Sequence, residues 1–169
     1  PLYIAAFLHG FVLWYAIEKL FMRSIGFNDA SIGGMIALYS AVMLLAGTPS
    51  GILADRWSRK GVLVVASLAL GLSSFVGGIS TNQSTYMIAA CLWGVFFAMY
   101  SGTYESIVYD TELEMLGDSK SYERYFGHVR VADSLALVIG SVVGGLIAST
   151  WSLRTPYFVT IPFSLAAII

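Results

Sequence analysis

Charge is scarce in this chain of 169 residues: Asp, Glu, Lys and Arg make up 11% of it, where an ordinary globular domain carries about a quarter. Together with 57% hydrophobic residues and a mean hydropathy of +0.77, that shortage excludes a soluble globular fold and places the chain in lipid. A net charge of -1 and a pI near 6.1 leave no basic surface for DNA or RNA, so no nucleic-acid partner is expected. Cysteine is nearly absent. The single Cys91, inside an apolar run, excludes an internal disulfide and any multi-cysteine metal site, and reads as a small buried hydrophobe. No Gly-x-x-x-x-Gly-Lys-Ser/Thr loop occurs, so the chain has no phosphate cradle for a nucleotide. We expect neither a cofactor nor a metal. No basic leader with a small-residue cleavage site precedes the first apolar run. The chain opens on Pro1 and stops at Ile169 within apolar runs, and we expect it to be part of a longer protein.

What the chain does have is length in its apolar runs. A bilayer core of about 30 Å takes about 20 residues of helix, and six runs meet or approach that: 2–22, 31–50, 61–79, 84–109, 129–149 and 155–169. The expected fold is an all-α polytopic membrane protein of six transmembrane helices, with the lipid bilayer as its first partner. Turn or charge chemistry separates the runs at Gly26-Phe27-Asn28-Asp29, at Gly51 to Lys60, at Ser80-Thr81-Asn82-Gln83, from Thr111 to His128 and at Trp151-Ser152-Leu153-Arg154. Asp29 or Ser31 is expected to cap the second helix, and Thr155-Pro156 to open the sixth. Arg56, Arg59, Lys60, Lys120, Arg124 and Arg130 fall on one side, against Lys19, Arg23 and Arg154 on the other. Cytoplasmic loops hold the excess of positive residues, so the first side and both chain ends are expected in the cytoplasm. The segment 110–128 mixes Glu112, Glu114, Asp118 and Glu123 with Lys120 and Arg124, and reads as a solvated connector rather than a docking site.

Between the second and third runs stands Gly51-Ile52-Leu53-Ala54-Asp55-Arg56-Trp57-Ser58-Arg59-Lys60. It resembles Gly-x-Leu-Ala-Asp-Arg-x-Gly-Arg-Lys, the loop joining the second and third transmembrane helices of major facilitator superfamily transporters. Ser58 stands where the family has Gly, a departure that bears on the backbone geometry, since Ser tolerates positive φ less well. The resemblance implies that residues 1–169 form the N-terminal six-helix half of such a transporter, two inverted three-helix repeats with cytoplasmic loops at 51–60 and 110–128. It also implies a C-terminal six-helix half as partner and a small-molecule solute as cargo. In the family, the second Arg of the motif, here Arg59, pairs with an acid at the end of helix four, here Asp110, and the motif Asp, here Asp55, faces a helix of the other half. Gly51, Asp55, Arg56, Arg59, Lys60 and Asp110 are therefore the candidate gate. Asp55 and Arg59 are four apart, so one helical turn would put both on one face.

Weak internal similarity is the expected trace of an inverted repeat. Ala5-Ala6-Phe7-Leu8-His9-Gly10 is echoed by Ala89-Ala90-Cys91-Leu92-Trp93-Gly94, and Gly47-Thr48-Pro49-Ser50-Gly51 by Gly140-Ser141-Val142-Val143-Gly144. These pair run one with four and two with five. Gly47, Gly140, Gly144 and Gly145 are expected to serve close helix packing. Gly140-x-x-x-Gly144-Gly145 partly resembles the Gly-x-x-x-Gly-Pro-x-x-Gly-Gly motif of drug:proton antiporters, with Ala136 in place of its first Gly and Ser141 in place of its Pro.

Ionisable residues inside a membrane are costly and suggest function or an internal partner. Glu105 on run four and Asp133 on run five are the candidate proton-coupling carboxylates; the alternative is a structural pair with Arg130 or hydrogen bonds to Ser101, Tyr104 or Ser134. Trp93, Phe97, Tyr100 and Tyr104, spaced four, three and four, make an aromatic stripe on run four. Such a stripe is usually packing. In the family that the motif resembles, helices one and four line the central cavity, which makes the stripe and His9 candidate solute contacts. Run four carries no Arg, unlike many proton-coupled exporters.

The expected function is a secondary active transporter working by alternating access, with proton coupling as the leading drive and efflux as a candidate direction, and not an enzyme. One alternative is a six-helix intramembrane serine protease built on Ser101-Gly102. Met99 stands where a Gly-x-Ser-Gly motif needs its first Gly, and no membrane-embedded His follows to serve as base. Another is a self-contained six-helix protein that dimerises into a pore.

Overall fold

The computed structural model describes residues 2–116 and 122–168, with side chains described for 3–110 and 125–168. The described residues are helical and contain no strand. The helices are α1 (Leu2–Gly10), α2 (Glu18–Ser24), α3 (Asp29–Arg56), α4 (Arg59–Ile79), α5 (Gln83–Leu116), α6 (Tyr122–Thr150) and α7 (Thr155–Ala166). Five segments are long and apolar enough to cross a membrane: Tyr3–Ser24, Asp29–Arg56, Arg59–Ile79, Gln83–Asp110 and Tyr125–Thr150. α7 begins the sixth, opening at Thr155 with Pro156 in its first turn as the sequence suggests.

Span one is not one continuous helix. α1 stops at Gly10, residues 11–14 belong to no helix, and a 3-10 turn at Tyr15–Ile17 leads into α2. Lipid offers no hydrogen bonds, so a break at this depth survives only where protein satisfies the freed groups. Here the Leu13 N–H donates to Thr160 Oγ1 at 3.2 Å and the Val12 N–H to the Gly10 carbonyl at 2.8 Å. The Leu13 carbonyl abuts Gly144, where a Cβ would overlap it.

The motif is a helix end and a helix start rather than a ten-residue loop. α3 runs on through Gly51 to Arg56, and only Trp57 and Ser58 separate it from α4. At 28 residues α3 is about 42 Å long, so its last turns project beyond the hydrocarbon core. Asp55 and Arg59 therefore lie on different helices, not on one face of one. Ser58 takes φ -174°, extended backbone open to any residue, and its hydroxyl accepts from the Gly61 N–H at 3.2 Å. Ser at this position is an N-cap. The one positive φ among the described residues is at Gly26. At the other end of α3 the cap is Asn28, in a reciprocal box with Ser31, rather than Asp29. The 110–128 connection is likewise shorter than expected, because α5 continues to Leu116 and α6 starts at Tyr122. The side chains of Glu112, Glu114, Asp118, Lys120, Glu123 and Arg124 lie outside the described residues.

Helix pairing has the symmetry of an inverted repeat. α1 of span one packs on α6 of span five, α5 of span four packs on α3 of span two, and α4 packs on both α5 and α7. Exchanging one with four, two with five and three with six maps the first pair onto the second. The closest approaches follow. Gly10 meets the Asp133 carbonyl and Ala136, while Gly94, its echo, meets the Tyr39 carbonyl and Val42. These contacts equate Tyr39 with Asp133 and Val42 with Ala136, one residue further along than the echo that matches Gly47 with Gly140. Of the glycines expected at interfaces, Gly144 touches Leu13 and Gly140 approaches Val12, whereas Gly47 and Gly145 meet no described neighbour. The close face of α4 is instead made by Gly71, Gly77 and Gly78, against Ser164, Tyr157 and Phe158 of α7.

Candidate functional site

At the end of the bundle where the motif lies, two ion pairs bridge helices. Arg59 opens α4, where a cation opposes the helix dipole and no acid stands in the first turn. Its guanidinium is paired with Asp110 of α5 and donates to the Ser106 carbonyl at 3.3 Å, so a neighbouring helix supplies the missing acceptors. Beside it Arg130 of α6 donates to Glu105 of α5 at 2.8 Å and lies over the Phe126 ring at 5.0 Å. Glu105, Ser106, Tyr109, Asp110 and Arg59 line one shallow cavity. Gly51, Asp55, Arg56 and Lys60 are exposed, and Asp55 forms no ion pair among the described residues.

The centre of the bundle is aromatic. His9 is buried between α4 and α5; its Nε2 lies 2.8 Å from Ser67 Oγ and its Nδ1 2.9 Å from the Ala5 carbonyl. Its ring packs on Phe96 and Tyr100, with centroids 6.0 and 4.9 Å away. The stripe on α5 is displaced from the expected one. Trp93, Phe96, Tyr100 and Tyr104 form a continuous column with centroid steps of 5.1, 5.4 and 5.0 Å, whereas Phe97 turns out of it and is 41% exposed. Ser101 is half-buried with Gly102 open beside it. Asp133 sits against Gly10 and forms no ion pair among the described residues, while the Arg130 guanidinium nearby binds Glu105.

Toward the far end lies a cluster the sequence did not single out. Trp14, from the break in span one, stacks on Tyr157 with an interplanar angle of 2°, meets Trp93 edge-on, and donates its N–H to Ser74 Oγ at 3.0 Å. One turn on, Glu18 accepts from the Tyr86 hydroxyl at 3.0 Å, and the Tyr86 and Tyr157 hydroxyls are 2.9 Å apart. A cavity of about 420 Å³ opens beside Trp14 and Glu18, walled also by Tyr15, Tyr39, Trp93 and Ser141. Residues from spans one, two, four and five thus converge on it. Glu18 hid in the sequence because Lys19 follows it near a span end, where such a pair reads as interfacial charge. Its one signal was its place four residues after Trp14.

A family model described as Major Facilitator Superfamily matches residues 1–169. Multidrug resistance protein 1 of Bacillus subtilis (strain 168) is similar to the chain, 26% identical over 160 residues that make up 95% of this chain and 40% of that protein. A puromycin resistance protein of Streptomyces alboniger is 27% identical over 165 residues, 96% of this chain and 31% of that protein. A quinolone resistance protein of Staphylococcus aureus is 20% identical over 149 residues, covering 88% of the chain and 37% of the relative. The chain thus spans no more than about 40% of the length of these relatives.

Proposed function

Because the chain belongs to the Major Facilitator Superfamily and folds as a multi-pass helical membrane bundle, we propose that it is the N-terminal half of a secondary transporter. In this reading the transporter exports small organic solutes by alternating access, driven by a proton gradient. The observation that carries it is the Arg59–Asp110 pair, which ties the start of α4 to α5 at the motif end of the bundle. The relatives' names, which speak of resistance to many drugs, to puromycin and to quinolones, support the outward direction and the class of cargo. Exposed apolar faces on α3 (Leu44, Leu45) and α6 (Val138, Val142, Leu146) fit a second six-helix half that covers them. The motif end is then cytoplasmic, in a prokaryotic inner membrane, with both chain ends on that side.

In the mechanism, the ion pairs at the motif end are latches. Both partners of Arg59–Asp110 are a third to a half exposed, so the pair is worth about 1 kcal/mol or less. A latch of that size biases two alternating states without locking either. Arg59→Ala or Asp110→Asn in the full-length transporter is expected to slow turnover by up to about fivefold while insertion is retained, since 1 kcal/mol is a factor of about five. Counterflow in proteoliposomes with matched protein density measures it; wild-type rates in both variants reject the latch.

Glu105 is the proposed coupling group. Neutralising it removes the charge that holds Arg130 and so loosens the tie between α5 and α6. Glu105→Gln is expected to abolish solute movement driven by an imposed pH gradient while leaving solute exchange at equal pH. An unchanged proton-to-solute ratio would assign coupling elsewhere.

A further inference from the structure

We propose that residues 145–154, between spans five and six, are the inverted counterpart of the gate motif, and that Arg154 is a latch at the far end of the bundle acting against the latch at Arg59. The proposal rests on the transporter reading above and adds a second point of control at the opposite membrane face.

The offset that carries Tyr39 to Asp133 and Val42 to Ala136 in the helix contacts also carries Gly51-Ile52-Leu53-Ala54-Asp55-Arg56-Trp57-Ser58-Arg59-Lys60 onto Gly145-Leu146-Ile147-Ala148-Ser149-Thr150-Trp151-Ser152-Leu153-Arg154. Gly, Ala, Trp and Ser coincide, Ile and Leu exchange places, and a basic residue closes both segments. Local structure keeps the same register. α3 ends at Arg56 and α6 at Thr150, which are equivalent positions. The Trp that follows closes the last turn on an equivalent carbonyl, Trp57 N–H on Leu53 at 2.9 Å and Trp151 N–H on Ile147 at 3.0 Å. Both Trp residues are exposed, as interfacial rings at the two membrane faces are. Each Ser hydroxyl then reaches three residues on: Ser58 Oγ accepts from the Gly61 N–H at 3.2 Å, and Ser152 Oγ lies 3.0 Å from Thr155 Oγ1. Ser149 and Thr150 replace Asp55 and Arg56, so the far-end segment has lost charge, in the sense of the positive-inside asymmetry.

The two arginines grip equivalent neighbours. Arg59 opens α4, whereas Arg154 is the N-cap of α7 and stands one place beyond Leu153, the strict match of Arg59, because the far-end turn is two residues longer. Arg59 reaches from span three to span four; exchanged, that is a reach from span six to span one. Arg154 makes it, with its guanidinium over the Phe21 ring at 5.5 Å. The offset that carries Gly10 to Gly94 carries Phe21 to Glu105, Met22 to Ser106 and Gly26 to Asp110. Arg154 therefore meets span one within a residue of where Arg59, bonded to the Ser106 carbonyl, meets span four. Gly26 stands in the acid's place, and Arg154 donates instead to the Gly78 carbonyl at 2.8 Å, in the last turn of α4, where the helix dipole favours a cation. An exchange that maps the motif end onto the far end reverses the sense of any bias. Whichever open state the loss of Arg59 favours, the loss of Arg154 favours the other.

The test reads that sign. Ile36→Cys, toward the far end of α3, and Gly47→Cys, about three turns on and so on the same face, are placed singly in full-length transporter that carries Cys91→Ser. The ratio of their reaction rates with N-ethylmaleimide in detergent reports which side is open. We expect Arg59→Gln and Arg154→Gln to move the ratio in opposite directions by about two- to fivefold each, and the double variant to return close to the wild-type ratio. Arg154→Lys keeps a cation and a donor and is expected to move it less. Phe21→Leu removes the ring beneath Arg154 and carries the same test if Arg154→Gln does not fold; it is expected to shift the ratio in the direction of Arg154→Gln, by less. A shift in the same direction for Arg59→Gln and Arg154→Gln, or a wild-type ratio in both Arg154→Gln and Phe21→Leu, overturns the proposal. A shift in Arg59→Gln alone defeats the far-end latch and leaves the transporter reading standing; a ratio fixed in every variant defeats the alternating-access reading on which both latches rest.

Discussion

Gly144→Ala is expected to abolish the folded bundle. A Cβ on that residue would overlap the carbonyl oxygen of Leu13, and the obstructing atoms are backbone, which cannot turn aside as a side-chain end does. Leu13 cannot retreat either. Its N–H is held by Thr160 Oγ1, and the next residue is fixed by the Trp14 bond to Ser74 and the stack on Tyr157. Overpacking a yielding core costs about 1–3 kcal/mol, and a main-chain collision belongs at or above the top of that range. The control is one residue away. Gly145 has no described neighbour within 4 Å, so Gly145→Ala meets open space and gains helix propensity, about 1 kcal/mol. Size-exclusion profiles and thermal unfolding of the full-length variants in detergent measure the difference. Equal melting temperatures for Gly144→Ala and Gly145→Ala would show that the break in span one moves freely.

That same break marks where the sequence stops being legible. The bilayer sets span length, so apolar runs alone located the helices. Phe11 to Ile17 is as apolar as any helix, and hydropathy does not register backbone angles. What opens the helix there is tertiary: Thr160 lies 147 residues away and Gly144 on another span. The helical character of the motif is hidden for a related reason. Charge marks the edge of the membrane, but a helix need not end where lipid does, and α3 carries its charged residues helically to Arg56. The start of α4 is written in Ser58, its N-cap, a meaning masked by comparison with a family Gly.

Periodicity likewise left the face of α5 open. Trp93, Phe96, Tyr100 and Tyr104 are as helical a series as Trp93, Phe97, Tyr100 and Tyr104, and only packing against His9 and Trp14 selects Phe96 over Phe97. The Arg59–Asp110 pair, by contrast, was legible through family resemblance, and the geometry brings those two side chains together. The inverted repeat was legible as a weak echo and recovered by contacts one register away. Gly10 and Gly94 are the positions where both sources agree.

Trp14→Ala carries the second large expected loss. In lipid the transfer of apolar surface out of water contributes little, so packing and buried hydrogen bonds hold the spans together. Trp14 concentrates both. From the break in span one it reaches Ser74 on α4, Trp93 on α5 and Tyr157 on α7, and it is 3% exposed. Truncation leaves a cavity the size of an indole and frees the Ser74 hydroxyl, a loss of about 3–5 kcal/mol by analogy with large-to-small changes in packed cores. Trp14→Phe keeps a ring on Tyr157 and removes the N–H donor, so a loss of about 0.6–2 kcal/mol is expected, the range for an interhelical hydrogen bond in a membrane. The order wild type, Trp14→Phe, Trp14→Ala in melting temperature is the measurement. If Trp14→Phe fell as far as Trp14→Ala, the hydrogen bond to Ser74 rather than ring packing would be what joins these spans; if neither fell, the break would be held by Leu13 and Thr160 alone.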